Sequence, residues 1–247
     1  MTRPILTRPL DYLLVDISNS YTKLVFASTK RISTPVRIVT NKLSSSVFSR
    51  FLGQRRVQKV VVSSVVPKKN RTISKVAGKT RVLWLNSTVK LGVGIDYPAP
   101  ETIGADRLAN AAAVAALYGC PAIVVDFGTA VTFDIVSARR NYIGGVIAPG
   151  LEAMTNFLYQ RTALLPKLSL KEPGRAIGRS TIDAMLSGAV FGYRGLVREI
   201  LTRIKLSGFR AGSFTSWPQV VMRDSSQRSY QRSPRSVHTS LWRGYGS

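Results

Sequence analysis

Ala122-Ile-Val-Val-Asp-Phe-Gly-Thr-Ala-Val-Thr-Phe-Asp134 is the stretch that decides the fold. The apolar run Ala122–Val125 reads as a buried strand. It runs into an acid, Asp126, and Gly128 then permits a tight turn or the close approach of a ligand. Thr129 and Thr132 place hydroxyls beside the backbone N–H groups of that turn. A turn of this kind can hold a phosphate, and a buried carboxylate needs a cation or hydrogen-bond donors to stay charged. The same residues also suit an ordinary β-hairpin whose Asp and Thr side chains satisfy the turn. The stretch alone leaves both open.

A second copy of the same grammar lies about 110 residues earlier. Leu13-Leu-Val-Asp16 is a short apolar run ending in an acid. Ile17-Ser-Asn-Ser-Tyr-Thr-Lys23 is a small polar turn, and Leu24-Val-Phe-Ala27 resumes as a strand. Such an echo points to a duplicated architecture with a nucleotide between two like halves. Asn19 and Ser20 tolerate turn geometry, and Lys23 can reach a phosphate as a point charge.

Between and beyond the two copies, strands alternate with helical connections, as in α/β folds. Arg56–Val66 and Arg81–Leu85 read as strands, with a polar helix or loop over 68–79. Asp96-Tyr-Pro-Ala-Pro100 is extended, because the residue before a proline is pushed out of the helical region. Gly104-Ala-Asp-Arg107 then leads into an alanine-rich helix ended by Gly119. Asp106 falls in its first turn, where the helix dipole favours a carboxylate. The adjacent Arg107 could hold that carboxylate ionised and bind an anionic substrate. Tyr142-Ile-Gly-Gly-Val-Ile-Ala-Pro-Gly150 is a strand whose paired glycines imply the close approach of backbone or ligand. Leu151–Leu158 reads as a helix, and a long apolar helix follows Gly178-Arg-Ser-Thr181, capped by Ser180 or Thr181. Gly188 and Gly192 would let another helix approach it closely.

With 247 residues and 45% hydrophobic content, the chain can bury a substantial core in one large or two smaller domains. No apolar run approaches the ~20 residues of a membrane helix. The first residues show no signal-peptide pattern. The single cysteine, Cys120, excludes internal disulfides and suits a reducing compartment, so the expected location is the cytoplasm. The net charge of +24 would attract anionic metabolites or nucleic acid. The basic residues are nevertheless scattered without interleaved aromatics, and nucleic acid is not the expected partner.

Taken together, Asp16–Lys23, Gly104–Arg107, Asp126–Thr132, Gly144–Gly150 and Gly178–Thr181 follow the order and spacing of the type III pantothenate kinases. The resemblance covers about residues 12 to 205. It implies two ribonuclease-H-like α/β halves of the acetate-and-sugar-kinase/Hsp70/actin superfamily, with the nucleotide in the cleft, usually in a homodimer. The halves are expected at 1–117 and 118–210. The implied reaction is ATP-dependent phosphorylation of pantothenate, the first step toward coenzyme A. By matching motif, Asp16, Ile17, Ser18, Asn19, Ser20, Tyr21, Thr22 and Lys23 form the ATP phosphate loop, and Thr129 contacts ATP phosphate. Asp126 holds the monovalent cation, potassium or ammonium, and Mg²⁺ accompanies the nucleotide. Tyr97, Gly104, Ala105, Asp106, Arg107 and Thr181 bind pantothenate, and Asp106 is the general base. The alternative is an impaired or non-catalytic relative with a regulatory or nucleic-acid-binding role.

The sequence departs from the family pattern at two places. Ser18 stands where the phosphate loop usually has glycine; a positive φ there would cost about 1 kcal/mol or more. The tail, 211–247, is the larger departure. No strand, Thr-Gly-Gly turn or closing helix is expected after Ser207, since the run from Ser213 holds neither a period of two nor one of 3.6. Back-translating Thr215–Arg223 and reading from each codon's third base allows Val-Val-Ala-Thr-Gly-Gly-His-Ala, the missing segment. A frameshift is therefore expected, with a basic disordered tail as the alternative. Loss of that segment would weaken closure over the nucleotide. The tail carries five arginines and one aspartate, so +20 of the charge belongs to the rest of the chain.

Overall fold

A computed structural model describes residues 10–224 and 230–232, with side chains over 12–223. It divides into two compact units, one holding the described residues up to Leu91 together with Ala99–Ala109, the other Gly92–Pro98 and the described residues from Asn110 on.

In the first unit, β1 (Leu10–Ile17), β2 (Tyr21–Ala27) and β3 (Val36–Val39) form an antiparallel meander. Helix α1 (Ser45–Leu52) leads to β4 (Val57–Ser64), and α2 (Pro67–Ala77) leads to β5 (Arg81–Trp84). The sheet order is β3-β2-β1-β4-β5, with β4 and β5 parallel to the first strand. Alternation explains β1: Leu13, Val15 and Ile17 are buried on one face, while Leu14 and Asp16 are half-buried on the other. The buried face packs with Val60 and Val62 of β4 against Phe48 of α1 and Ile73 of α2. Each such side chain, when fully buried, stabilises by about 1.5–3 kcal/mol. Ser44 caps α1 by accepting from the Val47 N–H, and Pro67 opens α2 where its missing N–H costs nothing.

The second unit repeats the plan. It begins with the short strand β6 (Gly94–Ile95). Helix α3 (Ala105–Leu117) enters it at Asn110 and ends at Gly119, whose φ of 88° is the left-handed conformation a helix stop favours. Then come β7 (Ala122–Phe127), β8 (Ala130–Val136), β9 (Asn141–Pro149), α4 (Leu151–Arg161), α5 (Thr181–Arg210), β10 (Gln219–Asp224) and β11 (Tyr230–Arg232). The sheet order is β11-β10-β7-β8-β9-β6. Strand β7 is antiparallel to β8 and parallel to β10, just as β1 is to β2 and β4. Ile123, Val125, Phe127 and Phe133 form the core with Tyr193, Val197 and Leu201 of α5. The chain is thus an α/β protein of two like halves, as expected for ribonuclease-H-like units. Asp16 and Asp126 occupy the same place, each the penultimate residue of its strand, β1 in one unit and β7 in the other.

One expectation is overturned. A strand does follow Ser207: Gln219–Asp224 pairs in register with all of β7, from Gln219 opposite Ala122 to Asp224 opposite Phe127. Its period was unreadable because a strand covered on both faces has no polar side; Val221 and Met222, neighbours in sequence, are both buried. Residues 1–9, 225–229 and 233–247, on which the signal-peptide reading and the rest of the tail reading fall, lie outside the described residues.

Candidate active site

In the first unit the β1–β2 turn is tied down by a residue the sequence reading missed. The Ser18 N–H donates to the Tyr21 carbonyl (3.1 Å). Thr40 then clamps the turn from β3's end, donating its hydroxyl to the Ser18 carbonyl (2.7 Å) and its N–H to the Ser20 carbonyl (3.0 Å). Buried Thr22 meets the same hydroxyl at 3.1 Å. Ser18 is not in the left-handed region; among the described residues Arg140 alone of the non-glycines has a positive φ. The strain considered for Ser18 is therefore absent, and its hydroxyl donates instead to Asp16 Oδ1 (3.4 Å). Asn19, Ser20 and Tyr21 are exposed. Ile17 and Thr22 are fully buried and pair with each other across the β1–β2 ladder at the base of the turn. Lys23 and Ser63 flank Asp16 in register on β2 and β4. The Ser63 hydroxyl is buried and has no hydrogen-bond partner among the described residues.

Gly104–Arg107 also belongs to the first unit. Asp106 sits in the first turn of α3, where Oδ1 accepts the Arg107 N–H at 2.8 Å. Ala105 is buried and Arg107 half-buried. A Cβ on Gly104 would lie 2.6 Å from Asp106 Oδ1 and in ordinary contact, 3.6 Å, with Val65. Gly104 therefore keeps room for the carboxylate. Gly104→Ala is expected to leave the thermal midpoint nearly unchanged, because only the end of a side chain must move. Turnover should fall about 100-fold, the scale of a ~1 Å misplacement of a reacting group. Steady-state kinetics beside a melting curve checks this; equal turnover in the variant would show that the Asp106 position is not critical.

In the second unit, Asp126 lies on the strand face that also carries Thr132, its register partner, and Asp134. Asn110 of α3 joins the two acids, its Nδ2 donating to Asp126 Oδ2 (3.2 Å) and to the fully buried Asp134 Oδ2 (3.3 Å). Arg223 of β10 completes the group: Nη1 donates to Asp126 Oδ2 at 3.1 Å and to Asn110 Oδ1 at 2.7 Å. Both side chains are mostly buried, 14% exposed for Asp126 and 19% for Arg223. Asn110, Asp134 and Arg223 were not singled out from sequence. Only the polar face of an otherwise alanine-rich helix pointed to Asn110.

This arrangement bears on the cation expected at Asp126. A potassium or ammonium ion bound to that carboxylate would face a guanidinium bonded to the same group. At ~4 Å and an effective dielectric of ~20 that repulsion is about 4 kcal/mol, enough to cancel the attraction of the same carboxylate at a like distance. The residues do not fit a further monovalent cation. Mg²⁺ is a different case, because it is commonly held by one carboxylate with substrate phosphates, and Asp16 offers that carboxylate.

Thr129 is exposed at the tip of the β7–β8 turn, where its carbonyl accepts the Gly150 N–H (3.0 Å). Gly128 has no positive φ, and Gly150 packs closely against the backbone of this turn. At the sheet edge Gly144, with φ 127°, leaves space for the Tyr97 ring, which a Cβ there would meet at 3.6 Å. Tyr97 also lies edge-on to buried Tyr142, their centroids 6.2 Å apart. Thr181 is exposed as the first residue of α5, and Ser180 is the cap, accepting from the Asp183 N–H at 3.1 Å. Gly178 is packed so closely on the Asp183–Ala184 backbone that no Cβ fits. Burial pushes the Cys120 thiol up, partly opposed by Arg140, so it stays protonated at neutral pH. The expected residues thus fall on two sets, Asp16–Lys23 with Gly104–Arg107 in the first unit, and Tyr97, Asp126, Thr129 and Thr181 in the second.

Residues 12–203 match the family model described as type III pantothenate kinase. The type III pantothenate kinase of Akkermansia muciniphila is 49% identical over 198 residues, covering 79% of this chain and 81% of that protein. The protein of the same name from Methylacidiphilum infernorum is 45% identical over 193 residues, covering 78% and 71%. That of Brevibacillus brevis is 38% identical over 205 residues, covering 78% and 80%.

Proposed function

The chain belongs to the type III pantothenate kinase family and phosphorylates pantothenate with ATP on the way to coenzyme A; we propose that it does so with Asp106 as the general base. The observation that carries this assignment is the Asp106 carboxylate, set in the first turn of α3 and given its space by Gly104.

A primary alcohol attacking the γ-phosphorus needs a carboxylate within hydrogen-bond reach to take its proton. Asp106 serves as that group, with Arg107 beside it for pantothenate; Tyr97 and Thr181 are the pantothenate-binding residues proposed in the second unit. The carboxylate of pantothenate is the natural partner of a guanidinium. The turn Asp16–Lys23 binds the ATP phosphates through the N–H groups of Asn19 and Ser20, the Asn19 amide, the Ser20 hydroxyl and the ammonium of Lys23. In the second unit Thr129 is the residue proposed for an ATP phosphate. When bound, Mg²⁺ would offset the charge that develops on the transferring phosphoryl group, and Asp16 is the residue to hold it.

The working unit is proposed to be a homodimer. Leu164, Ile177 and Ile182 are 91%, 82% and 50% exposed, and Gly188, Gly192 and Gly195 line one side of α5 with open space before them. A second copy would cover this apolar surface. No helix among the described residues is long and apolar enough to cross a membrane, and the cytoplasm is the proposed location. The tail from 211 on is proposed to arise from a frameshift. Resequencing of the gene that restores no Thr-Gly-Gly in the corrected frame overturns that. No observation favours the regulatory or nucleic-acid-binding alternative. The function is tested by ADP release with ATP alone, pantothenate alone and both. Release only with both is expected, and release from ATP alone would mark a nucleotidase.

A further inference from the structure

We propose that Arg223 supplies, from within the chain, the positive charge at Asp126, so that this kinase works without a monovalent cation. The geometry is specific. Arg223 stands opposite Asp126 in the parallel β10–β7 register, so the strand pairing itself delivers the guanidinium to the carboxylate. One nitrogen, Nη1, bonds both Asp126 Oδ2 and Asn110 Oδ1. Asn110 passes the contact on to Asp134 through its amide. The four residues form one mostly buried network in which two acids share an amide and a fixed cation.

A guanidinium and a potassium ion answer the same need in different ways. A mostly buried carboxylate must be paired to remain charged. Potassium does so as an exchangeable sphere, with an occupancy that follows its concentration. Arginine does so with directed N–H bonds and is always charged, so the pairing is permanent. Its sequence position adds a second point. Arg223 lies in the tail proposed above to arise from a frameshift, and the corrected frame would remove the arginine. The chain as it stands and a frame-corrected chain should therefore differ in cation dependence.

The proposal rests on the pantothenate kinase reading only for what the site is for, and its main test needs neither substrate. The thermal midpoint of the full chain is measured in potassium chloride and in tetramethylammonium chloride of equal strength, beside Arg223→Gln and Arg223→Lys. The native chain and Arg223→Lys should melt alike in both salts. Arg223→Gln should melt lower in tetramethylammonium and recover in potassium, with an apparent potassium affinity at least about ten-fold above that of the native chain. Should Arg223→Gln not fold, the native chain decides alone: a midpoint unmoved by potassium supports the proposal. A potassium-dependent rise in the native midpoint, or an Arg223→Gln variant indifferent to potassium, overturns it. In parallel, native turnover should be equal in the two salts. Absence of turnover in both, with the thermal pattern as expected, would count against the kinase reading and leave the ion pair standing.

Discussion

Asp106→Asn should lower turnover about 1,000-fold while leaving ATP affinity nearly intact. General-base catalysis contributes typically ~10²–10⁴. The amide keeps the size of the carboxylate and can still accept the Arg107 N–H through its oxygen, the bond that Asp106 Oδ1 accepts at 2.8 Å. The first turn of α3 should therefore hold its shape, and the loss falls on proton transfer alone. Single-turnover rates with pantothenate, beside nucleotide titration by fluorescence or calorimetry, separate the two quantities. A drop of only a few-fold would place the base elsewhere. A matching loss of ATP binding would show that Asp106 supports the nucleotide instead.

Gly150→Ala carries the second large effect, this time on stability. A Cβ there would overlap the Gly128 carbonyl oxygen and come within 2.6 Å of the Thr129 carbonyl oxygen. Neither atom can swing aside, because both belong to the backbone turn between β7 and β8. The Gly150 N–H also bonds the Thr129 carbonyl, so relieving the clash breaks a hydrogen bond. Overpacking of this kind costs about 3 kcal/mol, which in a chain of this size lowers the thermal midpoint by roughly 6–12 °C. Thr129 and Asp126 sit on the same hairpin, so activity should fall with stability. Differential scanning fluorimetry is the check, and an unchanged midpoint would mean that the turn relaxes freely.

These effects also mark how far the sequence could be read. The two strand–turn–strand phrases around Asp16 and Asp126 were legible because an apolar run, an acid and a small polar turn are local signals. The structure repeats them with the same pairing on either side. Gly104-Ala-Asp-Arg107 was legible for the same reason, as the start of an alanine-rich helix. Thr40 and Arg223 were not, because each reaches its partner only through strand pairing. Thr40 clamps a turn 22 residues earlier in the chain, and Arg223 meets Asp126 across 97. The packing of Gly150 on the β7–β8 turn was not legible, since it joins residues more than twenty apart in the chain. The serine at 18 carries no backbone strain, because the turn has no positive φ there. Strand β10 was hidden by burial on both faces, and its register put a cation beside the acid.

The most direct test of the central claim is to incubate the purified chain with ATP, Mg²⁺ and pantothenate and to follow product by mass spectrometry. The expected result is 4′-phosphopantothenate formed in equal amount with ADP, and its loss in Asp106→Asn. Folded protein that binds ATP and yields no phosphopantothenate, or that yields only inorganic phosphate, would contradict it.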